Sequence, residues 1–262
     1  MNQREKREYL IRALLKEQHG SDISIPSEEM EQRRLLRSLF NIRMPKESSE
    51  EFLKIQDEYL QETIREKGIT DIQDLKPVID DLYLWKGDIT TLRCDAIVNA
   101  ANSQMLGCFV PCHKCIDNAI HTYAGIQLRQ ECSRKMNELR SRYGGDYEQP
   151  MAVAMITNGY NLPSRKVIHV VGPVIYDEVR KEDEELLSSC YESCLRLADE
   201  NGLRSIAFCC ISTGEFRFPN RKAARIAIDT VRKYKSETKT EMKVIFNVYK
   251  DSDDQIYREL LG

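Results

Sequence analysis

At 262 residues, 41% hydrophobic and 31% charged, the chain has the balance of a soluble globular protein with one large core, or one domain with an appendage. No apolar run approaches the roughly 20 residues of a membrane helix, and the segment MNQREKREYLIRALLKEQ, broken at Arg12, makes poor signal-peptide material. The net charge of −3 gives no bulk attraction to DNA or a membrane, and nine cysteines without framework spacing fit reduced thiols, so a cytoplasmic location is expected.

Residues 1–75 read as a charged helical extension. Tyr9, Leu10, Ala13 and Leu14 make one apolar face, and Leu35, Leu36, Leu39 and Phe40 make another that ends before Pro45. A third helix is expected from Ser48, which forms a capping box with Glu51. Its stripe is Phe52, Ile55, Tyr59, Leu60, Thr63 and Ile64, and Gly68 ends it. Nothing here suggests catalysis, so packing on the main domain is the plain reading.

From residue 76 onward the pattern changes to a second domain, 76–262. LYLWK (82–86), DAIVNA (95–100), AVAMIT (152–157), KVIHVV (166–171), SIAFCC (205–210) and KVIFNV (243–248) read as short apolar strands. Helical patterns near 116–142, 183–200, 220–235 and 253–261 lie between or after them, and YGGDYEQP (143–150) is a loop. Continuously apolar strands need cover on both faces. That predicts a three-layer α/β/α domain with a mixed, mostly parallel central sheet.

In such a sheet ligands bind beyond the carboxyl ends of the strands, which points to loops 99–116, 158–164 and 211–219. The first is unusual. Three cysteines and two histidines fall within residues 108–121, and four potential metal ligands (Cys108, Cys112, His113, Cys115) lie within eight residues. Buried free cysteines alone do not cluster this way. Thiolate and imidazole are zinc's preferred donors, and three protein ligands leave a position open for chemistry. A fourth ligand from Cys112 would close the site and make the ion structural.

Three stretches, GDITTLRCDAIVNAAN (87–102), YNLPSRKVIHVVGP (160–173) and CISTGEFRFPN (210–220), together resemble the signature segments of macrodomains, the ADP-ribose-binding α/β/α family. KCIDNAIHTYAG (114–125) is similar to the hydrolase run of that family, with Asp117 on the catalytic Asp and His121 on the family His. The family's glycines are replaced by Cys108-Phe109-Val110-Pro111-Cys112-His113-Lys114-Cys115. That departure resembles the zinc-containing macrodomains, a microbial subgroup with a helical N-terminal extension, and implies Zn2+ on Cys108, His113 and Cys115.

The resemblance further implies that Asp88 accepts from the adenine amine and Ile89 supplies a backbone donor. Asn102 fixes the distal ribose, with Asn99 a second candidate. Ser212, Thr213, Gly214, Glu215 and Phe216 hold the diphosphate and distal ribose, while Asn247 and Tyr249 lie near the adenine pocket. His169 reads as a satisfied core histidine, His19 as solvated, and Cys209–Cys210 as packing. The implied activity is removal of mono-ADP-ribose from modified protein, with a lipoyl-carrier protein modified by a sirtuin-type transferase as one suggested substrate. In that scheme zinc orients the ribose or activates a water, and Asp117 positions that water or the 2-hydroxyl, or acts as base. A non-catalytic ADP-ribose reader braced by zinc, and an O-acetyl-ADP-ribose deacetylase, are the competing readings.

Overall fold

A computed structural model describes residues 1–18 and 24–262; the expectation for His19 lies outside them. Helices α1 (Gln3–Gln18), α2 (Glu29–Ile42) and α3 (Glu50–Lys67) form the N-terminal helical group. Their facing stripes bury Leu10, Leu14, Leu36, Phe40, Phe52 and Leu60 in one cluster. The cap of α3 is Ser49, whose hydroxyl accepts from the Phe52 amide at 3.2 Å, so the helix starts one residue later than the Ser48 pattern suggests. Gly68, at φ +86°, ends it as expected.

The chain then runs β1 (Thr70–Asp71), β2 (Leu82–Lys86), β3 (Leu92–Arg93), β4 (Ala96–Ala100), α4 (Ile116–Ala124), α5 (Ile126–Tyr143), β5 (Met155–Asn158) and β6 (Lys166–Val170). It continues through α6 (Lys181–Glu200), β7 (Ser205–Phe208), α7 (Asn220–Thr238), β8 (Lys243–Val248) and α8 (Asp251–Leu261). Six strands form one sheet in the order β2-β8-β7-β4-β6-β5. All neighbours pair in parallel except β5, which runs antiparallel to β6 at the edge. Ile97, Val98, Ile206, Ala207, Val244 and Ile245 are fully buried, so both faces of the sheet are covered. Helices α6, α7 and α8 pack together, while α4 and α5 pack together and meet α2 and α3. This is the mixed, mostly parallel α/β/α architecture with N-terminal helices that the strand pattern predicts.

Three local expectations change. The helix expected over 116–142 is two helices, broken at Gly125. There φ is +93°, and a Cβ would lie 2.7 Å from the Gln56 amide nitrogen. Strand β5 begins only at Met155, because Ala152 adopts a left-handed turn (φ +61°). Strand β7 stops at Phe208, leaving Cys209 and Cys210 in the following loop. The small pair β1–β3, two residues per strand, is too short to show any periodicity. Among the described residues no helix is long and apolar enough to cross a membrane.

Candidate active site

Parallel strands deliver their following loops to one edge, and the candidate residues meet there. At one end β2 leads into Gly87-Asp88. A Cβ on Gly87 would lie 2.3 Å from the Trp85 ring, so only glycine fits this turn. Asp88 accepts from the Thr90 amide (3.0 Å) and hydroxyl (2.6 Å) on Oδ1, and from Lys67 Nζ (2.5 Å) on Oδ2. Burial pushes this carboxyl upward, but Lys67 and Thr90 outweigh it and hold its pKa below the usual carboxylate range. The Lys67 ammonium also lies 3.7 Å over the Tyr123 ring. Asp88 is therefore a turn residue and an ion-pair partner at once. The neighbouring Ile89 amide finds no acceptor among the described residues. Asn247 donates to the Gly87 carbonyl at 3.0 Å, whereas Tyr249 is 78% exposed.

The centre of the edge is Asp117, in the first turn of α4 and only 5% exposed. Asn99 Nδ2 donates to its Oδ1 at 2.8 Å, and Asn102 Nδ2 lies 3.4 Å from its Oδ2. Burial raises the Asp117 pKa to about 6, against the Asn99 bond and the positive charge of Arg129. Asn99 is fully buried and also meets His169 Nδ1 at 3.1 Å, so it braces the carboxylate from behind rather than facing the cleft. His121 Nε2 lies 3.5 Å from Asp117 Oδ1. Burial holds that imidazole neutral, with its pKa well below the ordinary range. His169 is satisfied on both nitrogens, by Asn99 and by Thr157 Oγ1 at 2.9 Å, as expected of a core histidine.

Cys108, His113 and Cys115 place their ligand atoms within 4.8 Å of one another, with Cys108 Sγ 3.7 Å from His113 Nδ1. Two thiols and one imidazole in reach of one ion suit zinc. His113 Nε2 lies 3.6 Å from the Glu215 carboxylate, the partner that typically orients a ligating imidazole. Cys115 is the N-cap of α4: its Sγ accepts from the Asn118 amide at 3.4 Å, so Asp117 is not the cap. Burial pushes the free Cys115 thiol up to about 12, so a bound cation must displace its proton. Cys112 takes a left-handed turn (φ +53°) and its Sγ donates to the Arg34 carbonyl at 3.3 Å, away from the three donors. A second triad, His121, Cys132 and His169, is buried in the core, where the nitrogens of His169 are already engaged.

Opposite the metal-type cluster lies the loop after β7. Ser212 is left-handed (φ +64°), and its carbonyl accepts from the Phe218 amide at 2.9 Å. Its hydroxyl would lie 2.2 Å from a Cβ on Gly172, so the two loops touch. Among the described residues the amides of Ser212, Gly214, Glu215 and Phe216 find no acceptor, while Thr213 donates to the Cys210 carbonyl. A Cβ on Gly214 would meet nothing within 4 Å. Amides left without an acceptor beside open space are the kind of donors that an anion can use. The Glu215 side chain turns to His113 and is itself an anion, so any diphosphate contact from this residue is through its backbone.

Comparison with known proteins agrees with this fold. Residues 98–227 match the Macro domain family model. A protein-ADP-ribose hydrolase of Treponema medium is 52% identical over 269 residues, covering all of both chains. This chain belongs to the macrodomain family. A second protein-ADP-ribose hydrolase, from Staphylococcus aureus (strain MSSA476), is 46% identical, covering 96% of this chain and 93% of its own. Among solved structures, the Trypanosoma brucei macrodomain in complex with ADP-ribose has a TM-score of 0.65 and 30% identity, over 86% of this chain and 95% of that one. The Oceanobacillus iheyensis macrodomain with ADP has a TM-score of 0.61 and 35% identity, over 71% and 93%.

Several site residues of this macrodomain escape the sequence reading. Arg37, Asn41 and Lys67 come from the helical group, and Asn118 and Arg129 from α4 and α5. Arg129, 5% exposed, donates to the carbonyls of Leu106, Phe40, Asn41 and Arg43. The available signal is polar residues at helical spacing beside an apolar stripe, as with Arg34, Arg37 and Asn41 on α2.

Proposed function

We propose that this macrodomain is a zinc-dependent protein-ADP-ribose hydrolase, cleaving mono-ADP-ribose from modified protein side chains. Hydrolysis of the ADP-ribose–protein linkage rests on full-length relatives named for that activity. The observation that carries zinc dependence is the convergence of Cys108, His113 and Cys115 beside Asp117. Cys108, His113 and Cys115 would hold the ion, which would supply Lewis-acid polarisation of a substrate or water oxygen.

The chain's own groups do the rest. Asp88 Oδ2 and the Ile89 amide offer an acceptor and a donor side by side, matching the amine and ring nitrogen of adenine. The free amides of Ser212, Gly214, Glu215 and Phe216 bind the diphosphate. Asn102, hydrogen-bonded within the same pocket as Asp117, orients the distal ribose. With a pKa near 6, Asp117 is ionised at neutral pH yet basic enough to accept a proton from a water or the 2-hydroxyl. Asn99 fixes its orientation from behind, and much of the rate then comes from alignment.

The test is to incubate the zinc-loaded protein with mono-ADP-ribosylated protein carrying carboxylate linkages and follow release of free ADP-ribose. Stripping zinc is expected to abolish turnover while weakening ADP-ribose binding far less, because the adenine and diphosphate contacts lie elsewhere. Full turnover in a verified zinc-free sample sinks the metal part of the reading. Tight ADP-ribose binding with no turnover in either form makes the protein a reader.

A further inference from the structure

The donor loop 108–115 holds little structure of its own: its only internal backbone hydrogen bond runs from the His113 amide to the Val110 carbonyl at 3.2 Å. Its shape is imposed from outside, and helix α2 does much of the imposing. Arg37 donates to the His113 carbonyl at 2.9 Å. The same guanidinium clamps Asn118 Oδ1 with two bonds, at 3.1 and 2.7 Å. Asn118 in turn touches the loop twice, through Nδ2 to the Val110 carbonyl at 3.0 Å and through its amide to Cys115 Sγ. One turn further along α2, Asn41 Oδ1 accepts from the Cys112 amide at 2.9 Å, and Arg34 takes the Cys112 thiol. Residues 34, 37 and 41 share one helical face by spacing, so a single rigid surface addresses the loop.

We propose that Arg37 is a positioning residue of the metal site, and that the N-terminal helical group is part of that site rather than a packing appendage. The inference rests on the zinc reading above. Arg37 reaches His113 through its carbonyl and Cys115 through Asn118, so it holds two of the three donors in mutual register. Without it the donors remain, but the loop must be ordered at the moment of binding, and metal affinity falls by that cost. Lysine cannot replace it, because one ammonium on a flexible stem does not hold two acceptors in a fixed fork.

The experiment uses the full chain, stripped with a chelator and titrated with zinc against a chromophoric competitor. Arg37→Met is expected to weaken zinc by roughly 10- to 100-fold, the usual effect of losing a group that orients ligands. ADP-ribose binding to the same metal-free protein is expected to change by less than about 2-fold, a split that general unfolding does not produce. Cobalt substitution gives a second readout, since the thiolate charge-transfer and d–d bands of Co2+ report donor geometry. They are expected to shift in Arg37→Met and to recover only partly in Arg37→Lys, the milder variant should Arg37→Met fold poorly. Wild-type affinity and spectra in both variants overturn the proposal. A wild-type chain that binds no zinc at all overturns the metal reading on which it stands, and is seen before any variant is made.

Discussion

Asp117 illustrates how one residue's environment sets its chemistry. Its pKa lies near 6 because the fold buries it, and Asn99 and Arg129 only partly offset that burial. Replacing it with asparagine keeps an oxygen for the Asn99 bond but removes the proton acceptor. Asp117→Asn is therefore expected to cut turnover by roughly 10²–10⁴-fold with ADP-ribose binding retained, read by single-turnover release and calorimetry. Folding should not suffer, since Cys115 and not Asp117 caps the helix. The cysteines separate by the same logic. Cys115→Ser is expected to lose zinc and activity, whereas Cys112→Ser keeps both, as measured by metal content and turnover, because the Cys112 thiol is spent on the Arg34 carbonyl. Zinc loss from Cys112→Ser would bring a fourth protein ligand into the site and make the ion a brace. The Cys/His cluster was legible in the sequence because its composition is improbable. Arg37 and Lys67 were not, since long cations on charged helices normally point to solvent.

At the scale of elements, the break between α4 and α5 shows tertiary contact overriding helical periodicity. Helix α3 lends Gln56, whose Oε1 accepts from the Ile126 amide at 3.0 Å, so the new helix starts with a partner from the extension. Gly125 makes this possible by adopting φ +93° next to that side chain. Gly125→Ala is expected to destabilise by about 1–3 kcal/mol, the cost of forcing an L residue into such a conformation, read as a lowered urea midpoint. The six main strands could be read from their apolar runs, and β2 and β8 match their expected limits. The ends of β5 and β7 could not, because alternation does not reveal a left-handed alanine or a strand that leaves the sheet while still buried. The helical group was legible as helices. Its contacts to the site were not, because Arg37, Asn41, Gln56 and Lys67 act on partners at least 20 residues away.

Over the whole molecule, three buried titratable groups at the centre of the fold give stability a particular pH dependence. Burial holds His169 at about 3 and His121 well below its ordinary value, so below pH ~6.5 the unfolded chain binds protons there that the folded chain refuses. Each histidine thus contributes stability that is present above its unfolded pKa and lost as pH falls. Asp117 works in the opposite sense. Its raised pKa means the folded state holds a proton between about 4 and 6 that the unfolded state has released, so ionising it costs up to about 3 kcal/mol above that window. On acidification through this window the two histidines therefore take stability away while Asp117 returns part of it. In Asp117→Asn the opposing group is gone, so between about pH 4 and 6 stability falls more steeply on acidification, by about 1.4 kcal/mol more per pH unit, the one proton that Asp117 takes up. The variant is accordingly more stable than the wild type at pH 7, and the two converge near pH 4. Urea unfolding of the chelated proteins across this range measures both slopes. Equal slopes would mean that Asp117 does not titrate where burial puts it, and its assignment as a base near pH 6 would fall with that result.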